Sequence, residues 1–343
     1  MRILVCSTQV PFVRGGAELL ADGLVGALRE HGHEAELVAL PFSWSPRSSL
    51  IKSALAWRLL ELTQIGGRPV DAVIATKFPS YAARHPRKLV WLVHQHRQAY
   101  DWYGTPMSDW GAQEGDAEAR RLIQRMDRRT LGEARGLWAI SRNVAQRLRR
   151  FNGLDAKVLY PPSHLAPLLR RGPFEGFILS LSRLDPAKRI DLLLDALARS
   201  RSGLRAVIAG RGAALDELRR QARQLGLGDR VLFPGFVDDS TAADLYARCR
   251  AVYYAGVDED YGLATIEAFA AGKPVLTTND AGGVLEFVIH DQSGLVAAPR
   301  DDALAEQLDR LADEGLARRL GADNPARVAH IAWPQVVAAL LGA

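Results

Sequence analysis

Four stretches of the 343-residue chain hold side chains whose types and spacing could do chemistry. Ser182-Arg183-Leu184-Asp185-Pro186-Ala187-Lys188-Arg189 sets two cations, Arg183 and Lys188, five residues apart. A guanidinium fork and an ammonium point charge at that spacing can hold a diphosphate from two sides. A solvated basic turn is the ordinary alternative. The pattern predicts Lys188 at a helix start, where a cation opposes the helix dipole and needs another reason to be there. Asp258-Glu259-Asp260-Tyr261-Gly262-Leu263-Ala264-Thr265-Ile266-Glu267-Ala268 sets Glu259 and Glu267 eight apart. Ionised carboxylates only accept hydrogen bonds, which suits them to sugar or ribose hydroxyls. Glu267 also reads as a favourable charge near a helix start. Asp258 and Asp260 invite a D-x-D metal reading.

Trp91-Leu92-Val93-His94-Gln95-His96 closes a strand, with His94 and His96 predicted on one face. Two histidines without a third ligand do not make a metal site, and a structural hydrogen-bonding role competes for each. Val13-Arg14-Gly15-Gly16-Ala17-Glu18 opens the first helix. Its glycines permit close backbone approach, and a helix N-terminus favours anions; a tight turn explains them equally well. The full G-x-G-x-x-G fingerprint is missing, which counts against a nicotinamide-dependent dehydrogenase. Gly210-Arg211-Gly212, Phe233-Pro234-Gly235-Phe236-Val237 and Ala281-Gly282-Gly283 follow strands and read either as turn chemistry or as a nucleotide border.

The elements that must position these residues alternate. Strands are predicted at Ile3–Cys6, Ala35–Leu40, Ala72–Ala75, Leu89–Val93, Leu137–Ile140 and Lys157–Tyr160, with helices at Gly16–Glu30, Arg120–Glu133 and Asn143–Phe151. Tyr160 to Pro173 lacks periodicity and reads as a linker. A second series has strands at Phe177–Leu181, Leu204–Ala209, Val231–Phe233, Ala251–Tyr254, Pro274–Thr277 and Gly294–Val296. Its helices fall near 188–200, 213–225, 240–248, 262–271 and 301–313. Such alternation argues α/β, with two doubly wound parallel sheets. The expected domains are residues 1–164 and 171–330, with a last helix at 331–343, opened by Trp333 and Pro334, packing back on the first. Ligands bind at the carboxyl ends of such strands, so the two sheets are expected to face a central cleft. The stretch 41–62 is the least regular and suggests an amphipathic helix through Leu50, Ile51, Leu55, Trp57, Leu59 and Leu60.

Composition excludes other classes. The chain is 48% apolar and 24% charged, ordinary for a globular protein and unlike a disordered or disulfide-scaffold chain. No apolar window is long enough to span a membrane, and the N-terminal apolar stretch is too short for a signal peptide. Cys6 and Cys249 fit no metal or redox spacing and read as buried thiols. A cytoplasmic enzyme is the expectation, with peripheral contact at the inner face of a membrane as an option. The net charge is +5, yet residues 119–150 hold ten arginines against Asp127 and Glu133, a local +8. That segment reads either as solvated helix faces or as a surface for anionic lipid or a phosphate-bearing acceptor. It lacks the interleaved aromatics of a nucleic-acid site, so no nucleic acid is expected.

Taken together the motifs resemble glycosyltransferase family 4, retaining enzymes of the GT-B fold that use nucleotide-diphosphate sugars. The resemblance covers nearly the whole chain and is strongest from 177 to 297. Glu259 to Glu267 matches the E-x7-E motif, Ser182 to Lys188 the diphosphate clamp, and Pro11 to Gly16 with Gly32-His33-Glu34 the N-terminal signature. The resemblance implies that Arg183 and Lys188 hold the donor diphosphate, Glu267 the ribose and Glu259 the transferred sugar. It implies further donor contacts from Gly15, Gly16 and Gly210, from Phe236 and Val237 at the base, and from Tyr261, Gly262 and Leu263. His94 would stand beside the reaction centre, and Trp333 would open the terminal helix. No metal or other cofactor is implied, and the acceptor would be a saccharide or lipid-linked molecule in surface polysaccharide or glycolipid synthesis. A nucleotide-sugar epimerase of similar architecture is the alternative, and a metal-dependent transferase or a nucleic-acid or membrane-surface binder are further rivals.

Overall fold

The first strand shows what the apolar runs do. In the computed structural model, which describes residues 1–12 and 15–342, β1 (Arg2–Gln9) buries six consecutive side chains, as a strand covered on both faces must. Helix α1 (Gly16–Glu30) buries Leu20, Leu24 and Leu28 at helical spacing. Then come β2 (Glu34–Pro41), α2 (Ser48–Leu59), a two-stranded hairpin of β3 (Gln64–Ile65) and β4 (Arg68–Pro69), and β5 (Ala72–Ala75). β6 (Lys88–Leu92), α3 (Asp116–Gly132), β7 (Gly136–Ala139), α4 (Arg142–Asn152) and β8 (Lys157–Val158) complete the series.

The large sheet runs β2-β1-β5-β6-β7-β8, with every pairing parallel. The chain steps from β1 to β2 on one side, then crosses back to β5 on the other. Right-handed crossovers therefore put α1 on one face and α2, α3 and α4 on the opposite face. The reversal creates a topological switch point between β1 and β5, where ligands of such sheets bind.

The second series repeats the plan: β9 (Phe177–Leu181), α5 (Ile190–Arg199), β10 (Arg205–Ala209), α6 (Leu215–Gln224), β11 (Val231–Gly235), α7 (Asp239–Arg248) and β12 (Ala251–Tyr253). It continues with α8 (Leu263–Ala270), β13 (Val275–Thr278), β14 (Gly294–Ala297), α9 (Asp301–Leu311), α10 (Glu314–Gly321) and α11 (Asn324–Val328). This parallel sheet runs β11-β10-β9-β12-β13-β14, so its switch point lies between β9 and β12. Leu193, Leu194 and Leu197 of α5 and Leu304 and Leu308 of α9 share its core with Ile178 and Tyr253.

The chain forms two compact units, Met1–His164 with Ile331–Ala343, and Leu165–His330. The last helix, α12 (Trp333–Leu341), belongs to the first unit. Its Trp333 ring lies against Gly23, where a Cβ would collide with it, and meets Trp91 edge-on at 6.2 Å. Arg87 Nη2 donates to the Leu341 carbonyl at 2.9 Å. Trp333→Ala is expected to lower stability by about 2–4 kcal/mol, read as a shifted denaturant midpoint with an unchanged slope.

Several expectations need correction. The helix predicted from 188 starts at Ile190. Pro186 to Lys188 instead form a 3₁₀ turn, and Arg189 follows in the left-handed region at φ 52°. Lys188 is therefore not on a helix N-terminus, and the conflict with the dipole disappears. Helix α2 exists, but only Leu50, Ala54 and Trp57 of it are buried; Leu55 and Leu59 point outward, against the amphipathic face expected. Helix α3 begins four residues before the predicted Arg120, because the buried Asp116 accepts from the Gly111 and Gln113 amides at its start. Helices α10 and α11 were not predicted; their Ala, Arg and Gly content hides the apolar period.

Candidate donor site at the second switch point

The loops after β9 and β12 bring a largely buried polar cluster together. Lys188 Nζ donates to the Tyr254 hydroxyl at 3.0 Å and to the Glu259 carboxylate. Both partners of the ion pair are largely buried, with side chains 16% and 14% exposed. Burial disfavours the charged ammonium, but Tyr254 and Glu259 outweigh it and hold the amine above its usual range. The cation is thus kept charged at a sheet edge where ligands bind.

Three backbone devices fix the pair. The Val257 amide donates to the Ala187 carbonyl at 2.9 Å, tying the two loops together. Gly256 leaves room for the Glu259 carboxylate, which a Cβ would strike. The Gly283 amide donates to the Glu259 carbonyl at 2.7 Å, bringing the Gly282-Gly283 turn against this loop. Arg189 forks onto Asp280 through two bonds of 2.7 Å, and Tyr253 donates to the Arg189 carbonyl at 2.8 Å. This holds the left-handed residue that aims Lys188.

The other predicted residues distribute around this pair. Gly262 caps α8 at φ 83°, Leu263 starts that helix, and Tyr261 is buried edge-on to Phe287 at 5.7 Å. Glu267 lies one turn into α8 and accepts from the buried Tyr246 hydroxyl at 2.6 Å. Gly210, at φ 140°, presses its backbone on Ser182, and Gly212 presses on Leu184; neither leaves room for a Cβ. Phe236 is 66% exposed with Arg211 over its ring at 5.3 Å, and Val237 is half-buried beside it. Arg183 stays exposed and bonds Asp185 at 2.7 Å. Among the described residues no three His, Cys, Asp or Glu side chains are grouped to hold a metal ion. Tyr254, Tyr246, Arg189 and Asp280 escaped sequence reasoning. The tyrosines look like core aromatics, although the basic run already ended on Arg189.

The first unit carries its own pair at its switch point. Lys77, after β5, meets Glu18 in the first turn of α1, and the Gly15 amide donates to Glu18 at 2.9 Å. Gly16 opens the helix; Val13 and Arg14 of the same motif lie outside the described residues. His94 follows β6, half-buried, with Nδ1 2.9 Å from the Gln95 carbonyl. His96 is packed between Phe78 and Trp110, each at 5.4 Å, and burial pushes its imidazole down to about 4. Gln95 is buried and donates to Asn152, which donates to Tyr100, which donates to the buried Asp127 at 2.6 Å.

The two doubly wound units define a GT-B fold. Sucrose-phosphate synthase of Thermosynechococcus elongatus superposes with a TM-score of 0.77 at 20% identity, over 100% of this chain and 98% of that one. Anabaena HepE in complex with UDP-glucose superposes at 0.72 and 20% identity, over 100% and 98%. More specifically, residues 172–327 of the chain match the family model described as glycosyl transferases group 1. An uncharacterized glycosyltransferase of Methanocaldococcus jannaschii is 35% identical over 140 residues, 40% of this chain and 36% of the relative. A GDP-mannose-dependent alpha-(1-6)-phosphatidylinositol monomannoside mannosyltransferase of Mycobacterium tuberculosis is 39% identical over 160 residues, 41% of each chain. These matches thus span about two fifths of the relatives' own length.

Proposed function

We propose that the protein is a retaining, metal-independent glycosyltransferase that moves a sugar from a nucleotide-diphosphate sugar to a saccharide or lipid-linked acceptor. The observation that carries this reading is the buried Lys188–Glu259 pair on Tyr254 at the switch point between β9 and β12. A nucleoside diphosphate leaves with growing negative charge, and a preorganised cation in a half-dry site stabilises it. Lys188 and Arg183 supply that charge, Glu259 accepts from hydroxyls of the sugar, and Glu267, oriented by Tyr246, accepts from the ribose. Gly210 and Gly212 bring backbone close to the nucleotide, with Phe236 and Val237 at the base. In the transfer, the anomeric carbon loses its bond to the phosphate oxygen and gains one to the acceptor oxygen on the same face. The acceptor proton passes to the departing phosphate. The resemblance assigns His94 to the transferred sugar, and its Nδ1 contact with Gln95 O orients the ring.

The group 1 domain and the transferase relatives favour transfer over epimerisation. Synthesis of a surface polysaccharide or glycolipid on the cytoplasmic side of a membrane fits the phosphatidylinositol monomannoside in the name of the Mycobacterium tuberculosis relative. No helix among the described residues is long and apolar enough to cross a membrane.

A thermal-shift screen of UDP-, GDP- and ADP-sugars is expected to raise the melting temperature with one base class. Transfer with that donor should persist in chelator and give a product of unchanged anomeric configuration by NMR. Donor turnover that needs no acceptor would favour the epimerase, and activity lost in chelator and restored by manganese would overturn metal independence. Trapping of a glycosylated side chain would sink the same-face route.

A further inference from the structure

Helices α2 and α3 lie side by side and parallel on one face of the first sheet. Their starts are joined by Arg47 Nε to Asp116 Oδ1 at 2.5 Å, and their ends by Arg58 Nη2 to Glu133 Oε1 at 2.7 Å. Both also pack on the turn at 80–82. The direction of both crossovers puts them on the same side of the sheet, so their outer faces form one surface.

That surface has two rows. On α2, Lys52, Leu55, Ala56 and Leu59 fall at i, i+3, i+4 and i+7, and all four are exposed; Leu55 is 56% and Leu59 84% exposed. On α3, Arg121, Arg125 and Arg128 fall at i, i+4 and i+7, all exposed, with Arg129 and Leu122 flanking them. Among the described residues these three arginines make no ion pair. Glu133, at the end of the row, is already shared by Arg58, Lys88 and Arg129, which leaves Glu118 as the acid on the exposed face of α3. Trp44, just before α2, is 55% exposed as well.

We propose that the joined outer faces of α2 and α3 dock the protein on an anionic lipid surface, the α2 leucines entering the headgroup boundary and the α3 arginines meeting the phosphates. A solvated arginine row alone would be unremarked, and single exposed leucines are common. Their adjacency is what matters: stable peripheral binding takes two signals, buried apolar area and basic charge. The preference for lipid over other polyanions rests on those leucines and on the transferase reading with a lipid-linked acceptor. An RNA-binding row would call for stacking aromatics between the arginines, and α3 has none.

The test is co-sedimentation of the full chain with phosphatidylcholine vesicles, with and without phosphatidylserine, from 0.05 to 1 M salt. Binding is expected to the anionic vesicles only, and to fade as the screening length falls from about 10 Å at 0.1 M to about 3 Å at 1 M. Arg121→Gln/Arg125→Gln/Arg128→Gln should reduce partitioning at low salt by about a hundredfold. Leu55→Ser/Leu59→Ser should reduce it by about tenfold or more and leave the salt dependence in place. Binding to neutral vesicles as strong as to anionic ones, no binding at low salt, or either variant partitioning like the parent overturns the proposal. Salt-sensitive capture of single-stranded RNA with no vesicle binding overturns it in favour of a nucleic-acid surface. The donor-dependent thermal shift, expected unchanged in both variants, reads the donor site separately. A failed surface and a failed donor site therefore leave different records.

Discussion

Lys188→Ala is expected to lower the transfer rate by about 10²–10³-fold, the usual loss when one preorganised charge is withdrawn from a developing anion. The same change strands the Glu259 carboxylate in a largely buried position, because Lys188 is its ion-pair partner. Breaking such a pair from one side costs about 3–5 kcal/mol when fully buried, and less here. Activity must therefore be compared per folded molecule, well below the melting transition. The double variant Lys188→Ala/Glu259→Ala separates the two effects. Removing both charges should recover much of the lost stability, because no lone carboxylate remains. It should recover none of the turnover, because the cation for the diphosphate is still missing. Glu259→Ala alone should also abolish turnover, through the lost sugar contact. Full activity in both single variants would dismiss this site.

Asp127→Asn is expected to have the largest effect on stability, and one that depends on pH. Asp127 is buried on α3, and burial pushes its carboxyl up to about 7, although the Tyr100 and Tyr81 hydroxyls act in the opposite direction. In the unfolded chain an aspartate titrates near 3.9. The folded state therefore binds the extra proton between those values, and the slope of stability with pH is negative there. The contribution is complete below about pH 4 and is lost as pH rises through 7. Over a span of about three pH units, at 1.36 kcal/mol each, the loss is on the order of 4 kcal/mol. Asparagine has no proton to lose, so the variant should hold its stability from pH 5 to 8 better than the parent. Urea midpoints at pH 5, 6, 7 and 8 measure this; parallel curves for the two proteins would contradict it. Because Asp127 connects through Tyr100 and Asn152 to Gln95, the residue after His94, the turnover profile should change in the same range.

Much of the fold could be read along the chain because the apolar runs are short and sharply bounded. Gly16–Glu30 is a helix with Leu20, Leu24 and Leu28 facing inward, and Phe177–Leu181 is a strand between charged turns. Reading failed where local and tertiary demands part. In α2 the buried residues are Leu50, Ala54 and Trp57; the larger apolar period through Leu55 and Leu59 points away from the core. At Lys188, Pro186 and the left-handed Arg189 form a separate turn that propensity alone does not separate from α5. The site divides in the same way. Lys188 and Glu259 stand out as charged residues in the loops that follow predicted strands, but their contact spans 71 residues, and only the sheet order brings the ends of β9 and β12 together. Tyr254 and Tyr246 are silent because a tyrosine in an apolar run looks like any core aromatic until its hydroxyl partner is known.

The return of the chain to its first unit bears on how the molecule is made. During synthesis the first 164 residues emerge with the strip along Gly23 and Trp91 uncovered, and the residues that cover it come only after the whole second unit. The second unit is the continuous stretch Leu165–His330, so its own core is complete in the chain before the ribosome adds α12. The first unit gains its last contacts only when α12 arrives. For the time needed to add about 170 residues, some ten to thirty seconds at ordinary elongation rates, the Gly23 face of α1 has no Trp333 to cover it.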